Sequence, residues 1–180
     1  SMEPLPQMDR VIDYVHTEAF SGWMDLYLAA RCHFMLGMSS GPCTLPVLYG
    51  RPMVCTNFVP HRRLAGTKNT IVIPKLAWME REGRFISSSE LIASPLGVAF
   101  FGDMFEKQGV MVVDNTPDEI TAVTLEMLGR LDGSVQYSDE DNLRQRRFEE
   151  LWSPGTPPEL WRGCNRLGRD FAQDHPFVCQ

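Results

Sequence analysis

The chain lacks most of the features that would name a function outright. It has no excess of basic charge: 17 Lys and Arg stand against 23 Asp and Glu, a net charge of -6. A duplex nucleic-acid binder needs a basic face to replace counterions, so that class is excluded and at most a local basic pocket remains. No run reaches the roughly 18 apolar residues needed to span a bilayer. No charged-then-apolar leader opens the chain, so a soluble, cytoplasmic protein without a membrane span is expected. The 5 cysteines (Cys32, Cys43, Cys55, Cys164 and Cys179) are odd in number and include no Cys-x-x-Cys spacing. Neither a disulfide framework nor a zinc site is expected from them, and Cys32 and Cys55, beside or within apolar runs, read as small core residues in a reducing compartment. The 4 histidines (His16, His33, His61 and His175) are scattered without ligand spacing and read as surface or packing residues. There is neither a G-x-G-x-x-G nor a G-x-x-x-x-G-K-[ST] motif, so a dinucleotide fold or P-loop enzyme is not supported. No repeat, low-complexity tract or domain boundary is visible.

What is present suits one domain. With 180 residues, 43% hydrophobic and 22% charged, the chain can build a real core. Residues 1–180 read as a single Rossmann-like domain, with Ser1-Met2 as a remnant of tag cleavage. "RVIDYV" (Arg10–Val15) is short, apolar and β-branched and predicts a strand. Ser21 caps a helix over Gly22–Ala30, with Trp23, Leu26, Tyr27 and Ala30 on one face. "HFMLGM" predicts a second strand. Ser39 or Ser40 then caps a short helix with Pro42 in its first turn, which ends by Gly50 because Pro52 disfavours helical geometry at Arg51. "PMVCTNF" predicts a third strand, buried on both faces. Strand and helix alternating through short links predict a parallel α/β sheet with right-handed crossovers.

Further on, "TIVIPKLAW" reads as extended, and "FISSSELIAS" as a short helix capped by Ser87 or Ser88. Val110–Val113 predicts another strand of the sheet. Asn115 or Thr116 caps a strong helix over Pro117–Leu131. Ser138 caps a second over Glu140–Trp152, and "RGCNRLGRDFAQDHP" reads as a last helix.

The turn Ser39-Ser40-Gly41 follows a strand and opens a helix. One reading is that the serines cap and the glycine turns the chain. The other is an anion site, because unsatisfied amides there face the carboxyl edge of a parallel sheet. Thr56 and Asn57 end the third strand on that same edge. Lys75 follows the "IVIP" strand, where a lysine pairs with phosphate or is simply solvated. Asp114 and Asn115 precede the long helix; capping explains much of "DNTPDE", while Asp114 or Asn115 in such a place also reaches sugar or ribose hydroxyls. "DED" at Asp139–Asp141 sits in a first helical turn, where acids favour the dipole, and lacks the further ligands a metal would need. His16, Glu18 and Asp25 are candidates for a base, but no spacing singles one out.

Taken together, "GWMDLYLAARCHFMLGMSSGPCTLPVLYGRPMVCTNFVP", "IVIPK", "SSSELIASPLG" and "VVDNTPDEITAVTLEMLGRL" resemble the C-terminal part of a bacterial family of glycosyltransferases of the two-Rossmann-domain, GT-B type. The similarity runs from about Val11 to Leu151. It implies a domain that binds a nucleotide-sugar donor, with Ser39, Ser40 and Gly41 at the diphosphate. The implied reaction moves the sugar from a nucleoside diphosphate to a hydroxyl acceptor on a glycan or protein. Neither cofactor nor metal is called for, and the catalytic residues stay unassigned. Many GT-B enzymes carry a ribose-clasping Glu five residues before the Gly of Gly-x-Pro; here that position is Leu45. A complete enzyme of the type also has an acceptor domain ahead of the donor domain. The chain is therefore either a fragment, whose bared interface favours self-association into a homo-oligomer, or a reduced relative. A non-catalytic binding or assembly module, or a relative of sugar-nucleotide epimerases, are the alternatives.

Overall fold

The computed structural model describes residues 3–38, 40–59, 69–99, 102–152 and 165–180. The fold is α/β and Rossmann-like. Four strands, β1 (Met35–Met38), β2 (Met53–Phe58), β3 (Thr70–Pro74) and β7 (Asn165–Leu167), form an all-parallel sheet in the order β1-β2-β3-β7. β4 (Leu76–Met79), β5 (Arg84–Phe85) and β6 (Val110–Val113) form a second, antiparallel sheet in the order β5-β4-β6. β2 and β3 are central and apolar, and Val54, Ile71, Val72 and Ile73 are at most 1% exposed. Such continuous apolar runs belong in a parallel sheet covered on both faces.

Helices complete the layers. α1 (Gly22–Arg31) is capped by Ser21, whose hydroxyl accepts from Met24 N. The short α2 (Thr44–Leu48) connects β1 to β2. α3 (Ser88–Ala93) and α4 (Gly102–Glu106) pack with the small sheet around Leu91, Phe105 and Val110. α5 (Pro117–Asp132) crosses β2 and β3 and places Val123 and Met127 on the main core. Thr116 and Glu119 close a capping box at its start, and Gly133 ends it at φ 79°, a left-handed conformation that glycine adopts without a Cβ penalty. α6 (Asp139–Trp152) adds the fully buried Phe148, and α7 (Arg169–Asp174) adds Phe171.

Three expectations are corrected. Arg10–Val15 is not a strand: Val11 and Ile12 are 49% and 78% exposed, Arg10 sits at φ 59°, and Asp13 leads into a 3-10 turn at Tyr14–His16. A β-branched run becomes a strand only where a neighbour completes its ladder, and here β1 is the edge of the sheet. Val110–Val113 is a strand, but it pairs antiparallel with β4 rather than joining the parallel sheet. The cause is that β3 continues through Lys75 directly into β4, so the chain leaves the first sheet and takes β6 as its new partner. The last segment holds β7 before its helix. Gly168 makes the turn between them, donating its N–H to Val72 O at 3.1 Å; a Cβ there would meet Ile73 Cγ2 at 2.8 Å.

The N-terminal part stays outside the core. The hydrogen bonds described for residues 5–21 run among themselves and to the first turn of α1, as in Leu5 N to Asp13 Oδ2 (2.9 Å) and Tyr14 Oη to Ser21 O (3.0 Å). Only Ala29 of α1 is buried, and Trp23 is 75% exposed. Arg51 Nε ties the end of α1 to the lead of β2 through Ala30 O at 2.6 Å.

Gly37 in β1 lets the following turn fold back on the strand, since a Cβ there would lie 2.5 Å from Cys43 Sγ, whereas a Cβ at Gly41 meets nothing within 4 Å. Gly37→Ala should therefore cost about 1–3 kcal/mol by overpacking, and Gly41→Ala no more than about 0.5 kcal/mol either way. Urea unfolding midpoints of the two variants check this; equal effects would contradict the packing account.

Candidate functional site

β1, β2 and β3 run parallel, with Met38 opposite Thr56 and Cys55 opposite Val72. Their carboxyl ends therefore share one edge, where open α/β sheets bind ligands. Ser40 and Gly41 follow β1, Thr56 and Asn57 lie just before the last residue of β2, Phe58, and Lys75 follows β3. Ser39 lies outside the described residues.

The turn after β1 departs from a simple cap. A 3-10 turn over Gly41–Cys43 precedes α2, and the Ser40 side chain makes no capping bond. Its hydroxyl lies 3.5 Å from Cys43 Sγ, while Thr44 Oγ1 donates to Gly41 O at 2.6 Å. Ser40 and Gly41 are exposed, and among the described residues no acceptor is recorded for their N–H groups. With α2 only 5 residues long, little macrodipole is available. Any anion binding here comes from the turn's own amides. Cys43 and Cys55 are buried beneath it. Burial, aided by Cys43, pushes the Cys55 thiol up to about 12, which makes it an inert packing residue.

Thr56 is buried, its hydroxyl 3.4 Å from Gly37 O. Asn57 lies at φ 50° where the β2–β3 register slips by one residue. Such a bulge re-aims the strand and leaves ladder groups without their usual partners. Asn115 supplies them. Its Oδ1 accepts from Asn57 N at 2.6 Å, its own N–H donates to Asn57 Oδ1 at 2.7 Å, and its Nδ2 donates to Pro74 O at 2.9 Å. Next to these contacts, Lys75 Nζ pairs with Asp114 Oδ1 at 2.5 Å, with side-chain exposures of 23% and 70%. The structure thus brings Asn57, Lys75, Asp114 and Asn115 into one cluster, although 58 residues separate the two asparagines. Asn115 is buried, and Oδ1 and Nδ2 of its side chain each hold a backbone partner.

Two further polar groups were not visible in the sequence. His175, read there as a surface or packing residue, sits between Phe171 and Phe177 and bonds Glu119 Oε1 through Nε2 at 2.6 Å. Glu119 Oε2 accepts from Thr116 N and Thr116 Oγ1, so the C-terminal segment latches onto the start of α5 beside Asp114 and Asn115. The second group is a buried network. Glu126, 5% exposed, accepts from Tyr137 Oη at 2.7 Å and Arg169 N at 2.7 Å, and the Arg166 guanidinium stacks 3.3 Å from the Tyr137 ring centroid. Burial pushes the Glu126 carboxyl up, and burial together with Glu126 pushes the Tyr137 hydroxyl up to about 12. A carboxylate between Val123 and Met127 on the buried face of α5 was the one sequence signal for this network. A small surface cleft beside it is lined by Asp141, Arg144, Arg166 and Arg169. Arg144 pairs there with Asp141 and Glu140, and Arg169 with Asp170, so the cleft is a balanced charge network rather than an anion hole. Asp141 is held by Ser138, Arg144 and Gln173. Among the described residues no three His, Cys, Asp or Glu side chains are placed to hold a metal ion together, and no helix is long and apolar enough to cross a membrane.

Burial raises the Glu119 carboxyl, but the Thr116 N–H, His175 and the Thr116 hydroxyl outweigh it and hold it below its ordinary 4.5. A lowered folded-state value stabilises the protein fully above the unfolded value and is lost as pH falls through the folded one. Wild type should therefore exceed Glu119→Gln in urea midpoint at about pH 5.5, and the gap should close on acidification to about pH 3. A gap independent of pH would contradict the latch.

No protein-family model, curated protein or solved structure matches the chain.

Proposed function

We propose that this chain is the donor-binding domain of a GT-B-type glycosyltransferase that moves a sugar from a nucleoside diphosphate to a hydroxyl acceptor. The observation that carries the reading is the placement of Ser40-Gly41 after β1, Thr56-Asn57 in the second half of β2 and Lys75 after β3, on one edge of three adjacent parallel strands. The resemblance of the motif order to bacterial GT-B donor domains supplies the substrate class. In this reading the amides of the Ser40-Gly41 turn receive the diphosphate and the Lys75 ammonium neutralises it. Asp114, mostly exposed, faces the sugar or ribose hydroxyls. Oriented amides and a cation stabilise the leaving diphosphate as charge develops on it. The acceptor and the catalytic base come from elsewhere in the assembly. Trp23 and Tyr27 of α1 and Leu36 and Met38 of β1 are exposed, and a further domain or a second copy would dock over such apolar side chains.

Titration with UDP, GDP and their sugars, followed by amide chemical shifts, tests the reading. The Ser40 and Gly41 amides should move at millimolar ligand or below. Gly41→Asp places bulk and negative charge into open space, so it should abolish binding while the fold is kept. Lys75→Ala should weaken binding by about 1.5–3 kcal/mol, the range for a hydrogen bond to a charged group. Unmoved amides with every nucleotide, or undiminished binding by Gly41→Asp, would overturn the assignment.

A further inference from the structure

We infer that Asn57 and Asn115 are positioning residues that set the Lys75–Asp114 pair in place, and are not themselves ligands of the donor. The inference concerns the same edge and rests on the donor-binding reading for its functional consequence, though not for its geometry.

The geometry starts from the bulge. Three steps of β2, from Cys55 to Phe58, span the two steps of β3 from Val72 to Pro74. The extra residue is accommodated with Asn57 in the left-handed region, φ 50°. Asparagine tolerates that conformation better than most non-glycine residues. If conformation were the only demand, glycine would meet it at lower cost. The side chain is used as well: Asn57 Oδ1 accepts the Asn115 N–H, and Asn115 Oδ1 accepts the Asn57 N–H. The two residues form a closed rung between segments that no regular ladder joins.

The rung has a third tie. Asn115 Nδ2 holds Pro74 O, the carbonyl of the peptide whose nitrogen belongs to Lys75, and Lys75 N returns to Phe58 O at 3.2 Å. Asn115 thus fixes the backbone on one side of Lys75, while its own predecessor, Asp114, supplies the carboxylate that pairs with the Lys75 ammonium. Both charged groups hang from peptides that the asparagines hold. Because Asn115 is buried, its amide is shielded from competing water, and losing a partner inside leaves a desolvated group unpaired.

The test compares ligand-free spectra first and binding second. Asn57→Gly keeps the left-handed backbone and removes the Oδ1 acceptor, so it should fold while shifting the Lys75 and Asp114 amide resonances. Asn57→Asp keeps that acceptor and should restore them toward the wild-type positions. Asn115→Asp, which replaces the donor to Pro74 O by a carboxylate oxygen, should perturb the same resonances. Should that variant fail to fold, Asn57→Gly alone decides. In UDP titrations Asn57→Gly should bind about tenfold more weakly, the effect of losing one hydrogen bond's worth of placement. Lys75 and Asp114 resonances left in place by Asn57→Gly would overturn the inference and reduce Asn57 to a backbone requirement. If wild type binds no nucleotide, the donor reading fails, while the ligand-free comparison still decides the clamp.

Discussion

One extra residue in β2 is the constraint around which the candidate site is organised. β2 is buried on both sides, and a buried strand keeps its backbone N–H and C=O groups paired. The bulge at Asn57 breaks that pairing at the carboxyl edge. Asn115 answers it from the start of α5, and in doing so brings the β6–α5 connection down onto the ends of β2 and β3. The small antiparallel sheet, α5 and the main sheet are thereby joined at one place. The capping box of Thr116 and Glu119, with the His175 latch, holds the other side of that junction. These contacts are short-range and polar, and they lie on the edge where a parallel sheet leaves room for a ligand.

The elements the sequence showed most clearly were those with local signals. α1 and α5 begin at the residues their caps indicated and run one residue past the expected ends, at Arg31 and Asp132. α6 starts one residue early, at Asp139, and Ser138 Oγ accepts from Asp141 N as its cap. Ser87 and Glu90 close the box of α3. Each signal is contained within four residues, so no knowledge of the tertiary fold is needed. Strand identity behaved differently. Val11–Tyr14 and Val110–Val113 both carry β-branched residues, yet one is exposed coil and a 3-10 turn and the other pairs antiparallel. Asn165–Leu167, too polar to look like a strand, adds to β3. Strand pairing is decided by distant partners, which apolar periodicity does not encode.

The site was legible in the same uneven way. Thr56, Asn57, Lys75, Asp114 and Asn115 could be picked out one by one, because each lies at or just past the end of a strand that was visible. Their joining could not, since nothing local links Asn57 to Asn115. For the same reason the backbone partners of Asn115 could not be read from the sequence. His175 gave no signal because its carboxylate partner lies 56 residues away.

A crystal structure of the chain with UDP bound tests the central claim most directly. The account predicts the diphosphate against the Ser40-Gly41 turn, with the Lys75 ammonium within about 3 Å of a phosphate oxygen and the Asn57–Asn115 rung unchanged. A diphosphate seated in the Arg144–Arg169 cleft or on the small sheet, with the carboxyl edge of β1, β2 and β3 untouched, would contradict it.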